Sequence, residues 1–239
     1  MAENQEQHKT FRMLRRAIPP IVPTAPNTTS TQRFRALYDA QWNTGSGHDK
    51  NATSWQYIGG NASSYYARSP LAITNGIWVD KNYLQFDGTG KAVPTNNSKP
   101  IDNEPLELVV LEGLGTVYTK KLGYSPRYLT ISETQVKYTH GSQSVYINVP
   151  GVDVRMVLIC YGVLVVYLKD GQRFHAVNFK ASASSESSSY ADSIEWFNGF
   201  VGKVYSIKTT VKDLSVNEAA SAFKALDPEW EYNKNRFKL

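Results

Sequence analysis

Short runs of apolar residues, some strictly alternating with polar ones and some apolar on both sides of the period, succeed one another along the second half of the chain with turn residues between them. LELVVL (106–111), RYLTIS (127–132), QVKYT (135–139), SVYINV (144–149), VRMVLICY (154–161), VLVVYLK (163–169), RFHAVNF (173–179) and VGKVYSIKTTV (201–211) are strand candidates. In SVYINV the residues Val145, Ile147 and Val149 share one face, the pattern of a strand with one side in water. VRMVLICY is apolar on both faces, which suits a central strand covered on both sides. Pro150-Gly151 and Lys169-Asp170-Gly171 supply turns. Many short strands at this spacing predict an all-β sandwich. One helix is predicted near the end. Ser215 and Glu218 form a capping box, and Ala219, Ala222, Phe223 and Leu226 make one apolar stripe before Asp227-Pro228 closes it. That helix is expected to lie across a sandwich edge, and residues 180–193 read as a low-complexity loop.

The first 32 residues have a different character. FRMLRRAIPP interleaves Phe11, Met13, Leu14 and Ile18 with Arg12, Arg15 and Arg16, room for one or two helical turns that Pro19 and Pro20 stop, and Pro23 and Pro26 with the Thr/Asn run after them keep the chain extended as far as Thr31. The expected organisation is a basic, proline-rich arm over 1–32, a sandwich over 33–226 and a C-terminal tail over 227–239. The chain carries a net charge of +5, and its distribution matters more than its size. Residues 1–35 hold six basic and two acidic groups, 36–226 hold seventeen and sixteen, and 227–239 hold three of each. A basic arm on a near-neutral body is built to dock on an acidic surface, whereas a nucleic-acid-binding domain shows its basic face on the folded part. The arm is therefore expected to be held by a partner: Phe11, Leu14, Ile18, Pro19 and Pro20 fill its groove, and Arg12, Arg15 and Arg16 pair with its carboxylates. No nucleic acid is expected as a partner.

The sequence offers little catalytic equipment. Cys160 is the single cysteine and sits inside VLICYGVLVV, where a thiol is a small buried hydrophobe. No stretch approaches the length of apolar residues needed to span a bilayer as a helix, and the charged opening residues lack the apolar core of an export signal, so no membrane partner is expected. The sequons at Asn27, Asn51, Asn61 and Asn96 are read as turn chemistry. His8, His48, His140 and His175 are dispersed and have no zinc-site spacing. GTGK (88–91) lacks the first glycine and the hydroxyl residue of a phosphate loop and reads as a strand-end turn. Among aromatics, Trp55 and Trp78 sit in strand-like contexts and are expected in the core, while Trp42, Tyr65 and Tyr66 sit in loop-like stretches where a ring could face a sugar.

The blocks 35–60, 82–93, 154–174 and 197–223 together resemble the laminin-G-like, concanavalin A-like jelly-roll domains of phage structural proteins and bacterial surface proteins. The last block, a Gly-flanked strand, a polar turn and then L-S-x-x-E with a short helix, is the most specific of them. The resemblance implies a concanavalin A-like (LamG-like) jelly-roll β-sandwich with one short C-terminal helix. It further implies a virion accessory protein, such as a head fibre, decoration or tail-associated subunit, anchored through residues 1–32 to other virion proteins and assembling as a homo-oligomer, with a trimer among the options. The alternative it carries is an adhesin recognising host surface glycans. The pattern departs at Tyr57-Ile58-Gly59-Gly60-Asn61-Ala62, where the family commonly has a carboxylate-bearing turn. No cofactor is expected; calcium would need clustered oxygen ligands, and Asp80 and Asp87 are the carboxylates available. The related glucanases carry E-x-D-x-x-E on one strand, and no such string occurs here. Glu107 and Glu112 are five apart and fall on opposite faces of a continuous strand, while Pro105 cuts Glu104 off from them, so the chain is expected not to be an enzyme.

Overall fold

The computed structural model describes residues 34–58, 69–95, 106–122, 126–160, 163–177, 191–210 and 227–238. Thirteen strands form a single antiparallel sheet folded over on itself: β1 (Phe34–Asp39), β2 (Ser54–Trp55), β3 (Leu71–Val79), β4 (Tyr83–Pro94), β5 (Leu106–Leu122), β6 (Arg127–Ile131), β7 (Gln135–His140), β8 (Gln143–Asn148), β9 (Val154–Cys160), β10 (Val163–Leu168), β11 (Arg173–Val177), β12 (Ala191–Trp196) and β13 (Val201–Thr210). One layer runs β1-β13-β5-β9-β10-β11 and the other β8-β7-β6-β5-β12-β4-β3-β2. Strand β5 belongs to both. Its residues 107–114 pair with β13 and 106–110 with β9, and its residues 115–122 pair with β6 and β12.

Turning one strand through two layers requires backbones to pass within contact distance of each other, and glycine allows it. A Cβ on Gly113 would lie 2.2 Å from the carbonyl oxygen of Val201, and Gly113 has φ +146°. Strand β4 makes the same passage. Its residues 84–87 pair with β13, Ala92 pairs with Trp196 of β12, and GTGK lies at the crossing. The sequence reading of GTGK as a strand-end turn is thereby corrected: it is a bulge inside a twelve-residue strand, with Gly88 at φ +95° and the Asp87 carboxylate accepting from the backbone and hydroxyl of Thr89.

The alternation read from the sequence sorts residues between two cores. Between the layers lie Val109, Leu111, Val157, Ile159, Leu164 and Val166 from one layer and Leu129, Ile131, Val136, Tyr138, Val145 and Ile147 from the other. Trp55 and Trp78 are in this core, as expected, with their rings edge to face at 5.3 Å. The opposite faces of β5, β9, β10 and β13 present Leu108, Val110, Met156, Leu158, Val163, Val165, Tyr167 and Tyr205 to a second cluster. This is why VRMVLICY is apolar on both sides.

A helix α1 (Asp227–Asn233) and a 3-10 turn (Arg236–Lys238) cover that second cluster. Trp230 stacks on Tyr167 with ring centroids 5.7 Å apart, and Phe237 meets Tyr205 edge-on at 5.1 Å. The segment set apart as a tail thus packs against the sheet. The α1 helix starts at Asp227-Pro228, where the sequence reading closed its helix; a proline in a first turn has no hydrogen bond to lose. The predicted stripe from Ser215 to Leu226 and the loop 180–193, apart from the β12 residues 191–193, lie outside the described residues.

Candidate functional site

Three places on the described surface hold polar chemistry. The first is the loop after β1, which carries Trp42. Asp39 accepts a hydrogen bond from the Gln41 amide and so starts a 3-10 turn, Ala40–Trp42. The buried Asn43 side chain then clamps the loop, donating to the Asp49 carbonyl and accepting from the Asp49 amide, both at 2.8 Å. His48 Nδ1 lies 2.8 Å from the Ala40 carbonyl, and its ring stands edge to face with Trp78. Trp42 is half-buried, and its indole Nε1 is buried without a hydrogen-bond partner. Trp42, one of the three rings considered for sugar contact, thus stands partly exposed on a loop that is held by its own hydrogen bonds. Tyr65 and Tyr66 lie outside the described residues, as do the arm residues Phe11, Arg12, Leu14, Arg15, Arg16, Ile18, Pro19 and Pro20.

The second place is a charged group on the outer side of the first layer. Tyr205 donates to Glu112 Oε1 at 2.6 Å, while Lys203 approaches Glu112 Oε2 at 3.5 Å and Arg155 Nε lies 3.8 Å from Oε1. Burial, reinforced by the acceptor it faces, pushes the Tyr205 phenol far above the usual tyrosine range. A phenol held protonated in this way is a donor and not a nucleophile. Nearby, Arg236 fastens the C-terminal turn: its guanidinium donates to both Asp39 carboxylate oxygens at 2.9 and 3.1 Å and to the Asn82 and Tyr205 carbonyls. The Tyr205 hydroxyl, the Glu112 carboxylate and the two terminal nitrogens of Arg236 are all engaged within the protein. Of the three glutamates weighed from sequence, Glu112 is held here, while Glu104 and the Glu107 side chain lie outside the described residues. Hydrogen bonds from Thr89 hold the exposed Asp87 carboxyl below its usual range, and among the described residues no three His, Cys, Asp or Glu side chains converge as metal ligands.

The third place is the outer face of the second layer, where polar groups stand in rows toward solvent. Strands β6, β7 and β8 alternate cleanly, sending Leu129, Ile131, Val136, Tyr138, Val145 and Ile147 inward and leaving Tyr128, Thr130, Gln135, Lys137, Thr139, Ser144, Tyr146 and Asn148 outward. The register lines these up in cross-strand rows. Ser144, Thr139, Tyr128, Thr119 and Glu195 form one row across β8, β7, β6, β5 and β12, with the Thr139 and Ser144 hydroxyls bonded at 2.9 Å. Tyr146, Lys137, Thr130 and Thr116 form the next, and Asn148 with Gln135 a third. At the β12 end Glu195 is occupied, with Lys91 at 2.9 Å on one oxygen and Asn198 at 2.9 Å on the other. Tyr146 is 56% exposed, a large aromatic surface left in water among the hydroxyl and amide groups and the one lysine, Lys137, of these three strands. Tyr128 is half-buried, two strands away and one row along, which at strand spacing is roughly 10 Å across and 7 Å along the sheet. Sequence reasoning named these strands but not this face, since Tyr and Thr are ordinary residues of exposed strands; the signal was two tyrosines at outward positions of strands on either side of β7.

No protein-family model matches the sequence, and comparison with curated proteins found no match. Solved structures do resemble it in part. The sialidase of Trypanosoma rangeli is 14% identical, with a TM-score of 0.44; the alignment covers 77% of this chain but 31% of the sialidase, so the chain spans about a third of that protein's length. Domain 4 of AbnA, a GH43 extracellular arabinanase from Geobacillus stearothermophilus solved with arabinotriose, is 14% identical, with a TM-score of 0.43 and coverage of 78% and 96%. The binding domain of Botulinum Neurotoxin DC, in complex with SialylT, is 11% identical, with a TM-score of 0.47 and coverage of 82% and 52%. At these scores function has to be read from the residues of this chain.

Proposed function

We propose that the protein is a carbohydrate-binding β-sandwich whose ligand lies across the outer face of β6, β7 and β8. The observation that carries this reading is the tyrosine-bearing polar face itself, with Tyr146 more than half exposed beside rows of hydroxyl and amide groups. Sugars combine apolar C–H faces with dense hydroxyls, and are held by aromatic rings flanked by hydrogen-bonding side chains. The groups on this face stand on paired strands, so little order has to be gained on binding. In this reading the protein binds sugars without cleaving them. A glycan array probed with the whole chain, followed by calorimetry on the best ligand, tests it. Y146A should weaken binding about tenfold, the equivalent of about 1.4 kcal/mol for one aromatic contact, with thermal stability near that of the parent. Silence across the array, or a ligand indifferent to both Tyr146 and Tyr128, would sink it.

A second reading concerns where such a module is attached. The excess of basic over acidic groups in residues 1–35 favours an arm that anchors the sandwich to an acidic protein surface, and a virion shell or neck protein is the attachment that the resemblance to phage domains suggests. Deleting residues 2–32 should then abolish incorporation into particles while leaving sugar binding intact. Normal incorporation of the truncated chain would remove the anchor role.

A further inference from the structure

We infer, on the basis of the carbohydrate reading above, that the sugar bound on this face carries a carboxylate, and that Lys137 receives it. Lys137 stands in the middle of the face, exposed, opposite Tyr146 of β8 and Thr130 of β6 in the same cross-strand row. Its neighbours on the outward positions of β6, β7 and β8 are Tyr128, Thr130, Gln135, Thr139, Ser144, Tyr146 and Asn148, none of which is charged. Among the described residues, the acidic groups on adjoining elements have other partners or stand off the rows. Glu195, on β12, is neutralised by Lys91 and held by Asn198. Asp153, following β8, is paired with Lys169 at 2.7 Å. Glu133 is exposed in the turn between β6 and β7, beyond the end of the rows. The ammonium of Lys137 therefore has no carboxylate partner among the described residues, on a face where every other outward group of these three strands is neutral.

A lone cation among neutral hydrogen-bonding groups complements a ligand with one negative charge in a field of hydroxyls. A sugar acid has that composition: its ring faces Tyr146, its hydroxyls meet Thr130, Gln135 and Asn148, and its carboxylate meets Lys137. A neutral sugar can accept a hydrogen bond from the ammonium but brings no opposite charge to it. A polyanion such as nucleic acid would require several cations on the face, and the outward positions of these three strands supply Lys137 alone.

The experiment compares oligogalacturonate with its methyl ester, which keeps the ring and removes the charge, alongside a sialylated lactose as a second source of carboxylate and plain lactose as its neutral counterpart. Each is titrated into the full chain and into K137Q, K137R and Y146A at low and high salt. The expected result is tighter binding of at least one acid over its neutral counterpart by about fivefold, the upper range for an exposed charge pair. That preference should disappear in K137Q, persist in K137R and shrink in high salt. Which acid binds distinguishes a chain uronate from a terminal sugar acid. If acidic and neutral forms bind equally and Y146A weakens both, the carbohydrate face stands and the role of Lys137 is overturned. If none binds and the array is also silent, the carbohydrate reading falls and takes this inference with it.

Discussion

Asp39 and Arg236 stand 197 positions apart in sequence and both lie almost wholly out of water, so each is the other's replacement for solvent. Removing one charge strands its partner, and that penalty exceeds what the pair contributes when intact. R236M should therefore destabilise the protein by about 3–5 kcal/mol in urea unfolding, whereas the double change D39N/R236M should recover part of that loss. Equal losses in the single and double variants would show that packing of the C-terminal turn matters and the charges do not. Tyr205 gives a pH signature of the same neighbourhood. Its folded-state pKa is raised, so its proton stays on in the folded protein after the unfolded chain has begun to ionise. The contribution is fully present below the unfolded value of about 10 and is lost as pH rises above it. Unfolding free energy should fall more gently between about pH 9.5 and 11 in Y205F than in the parent, and parallel curves would assign the alkaline sensitivity to other tyrosines.

At the scale of elements, what could be read from the chain depended on how strictly each strand obeyed the period of two or stayed apolar. Strands β6 to β8 keep that alternation over their whole length, β9, Arg155 apart, and β10 are apolar runs, and all five match the sequence ranges to within a residue or two at either end. Strands β3 and β4 were not anticipated, because LAITNGIWV and YLQFDGTGKAVP contain the Asn-Gly and Gly-Thr-Gly strings that mark turns elsewhere. Here Asn75 at φ +49° and Gly88 at φ +95° are bulges that bend both strands between the layers. The second half of β5 was hidden in the same way by Gly113 and Gly115. The tail was opaque for another reason: Trp230 and Phe237 lie seven apart in a short polar segment, and only the apolar outer face of β5, β9, β10 and β13 tells them where to go. The candidate site was half legible, since its strands were named but the function of a face is set by which neighbours its register brings alongside. Truncation after Leu226 should uncover Tyr167 and Tyr205 and leave Asp39 unpaired, giving a protein that binds a hydrophobic dye at low denaturant and loses several kcal/mol of stability. A truncated chain with parental stability and no dye binding would mean that the α1 segment is an accessory.

The molecule as a whole is tied together by β5, whose residues 106–114 lie in one layer and 115–122 in the other. Neither layer can separate without breaking hydrogen bonds along this strand, and the seam is reinforced where Gly113 and Gly202 bring backbones too close to admit a side chain. Two stacked sheets from distant parts of a chain could unfold in steps; a single sheet threaded by one strand should unfold as a unit. Two tryptophans are placed to tell these apart. Trp230 lies over the outer side of the first layer, and Trp196 lies between the layers on β12. Variants retaining one of these as the sole tryptophan should give coincident urea midpoints, matching far-ultraviolet circular dichroism on the same variant. Should the Trp230 transition precede that of Trp196 while half the β signal survives, the C-terminal cover would be a separate cooperative unit, and the common strand would not couple the layers.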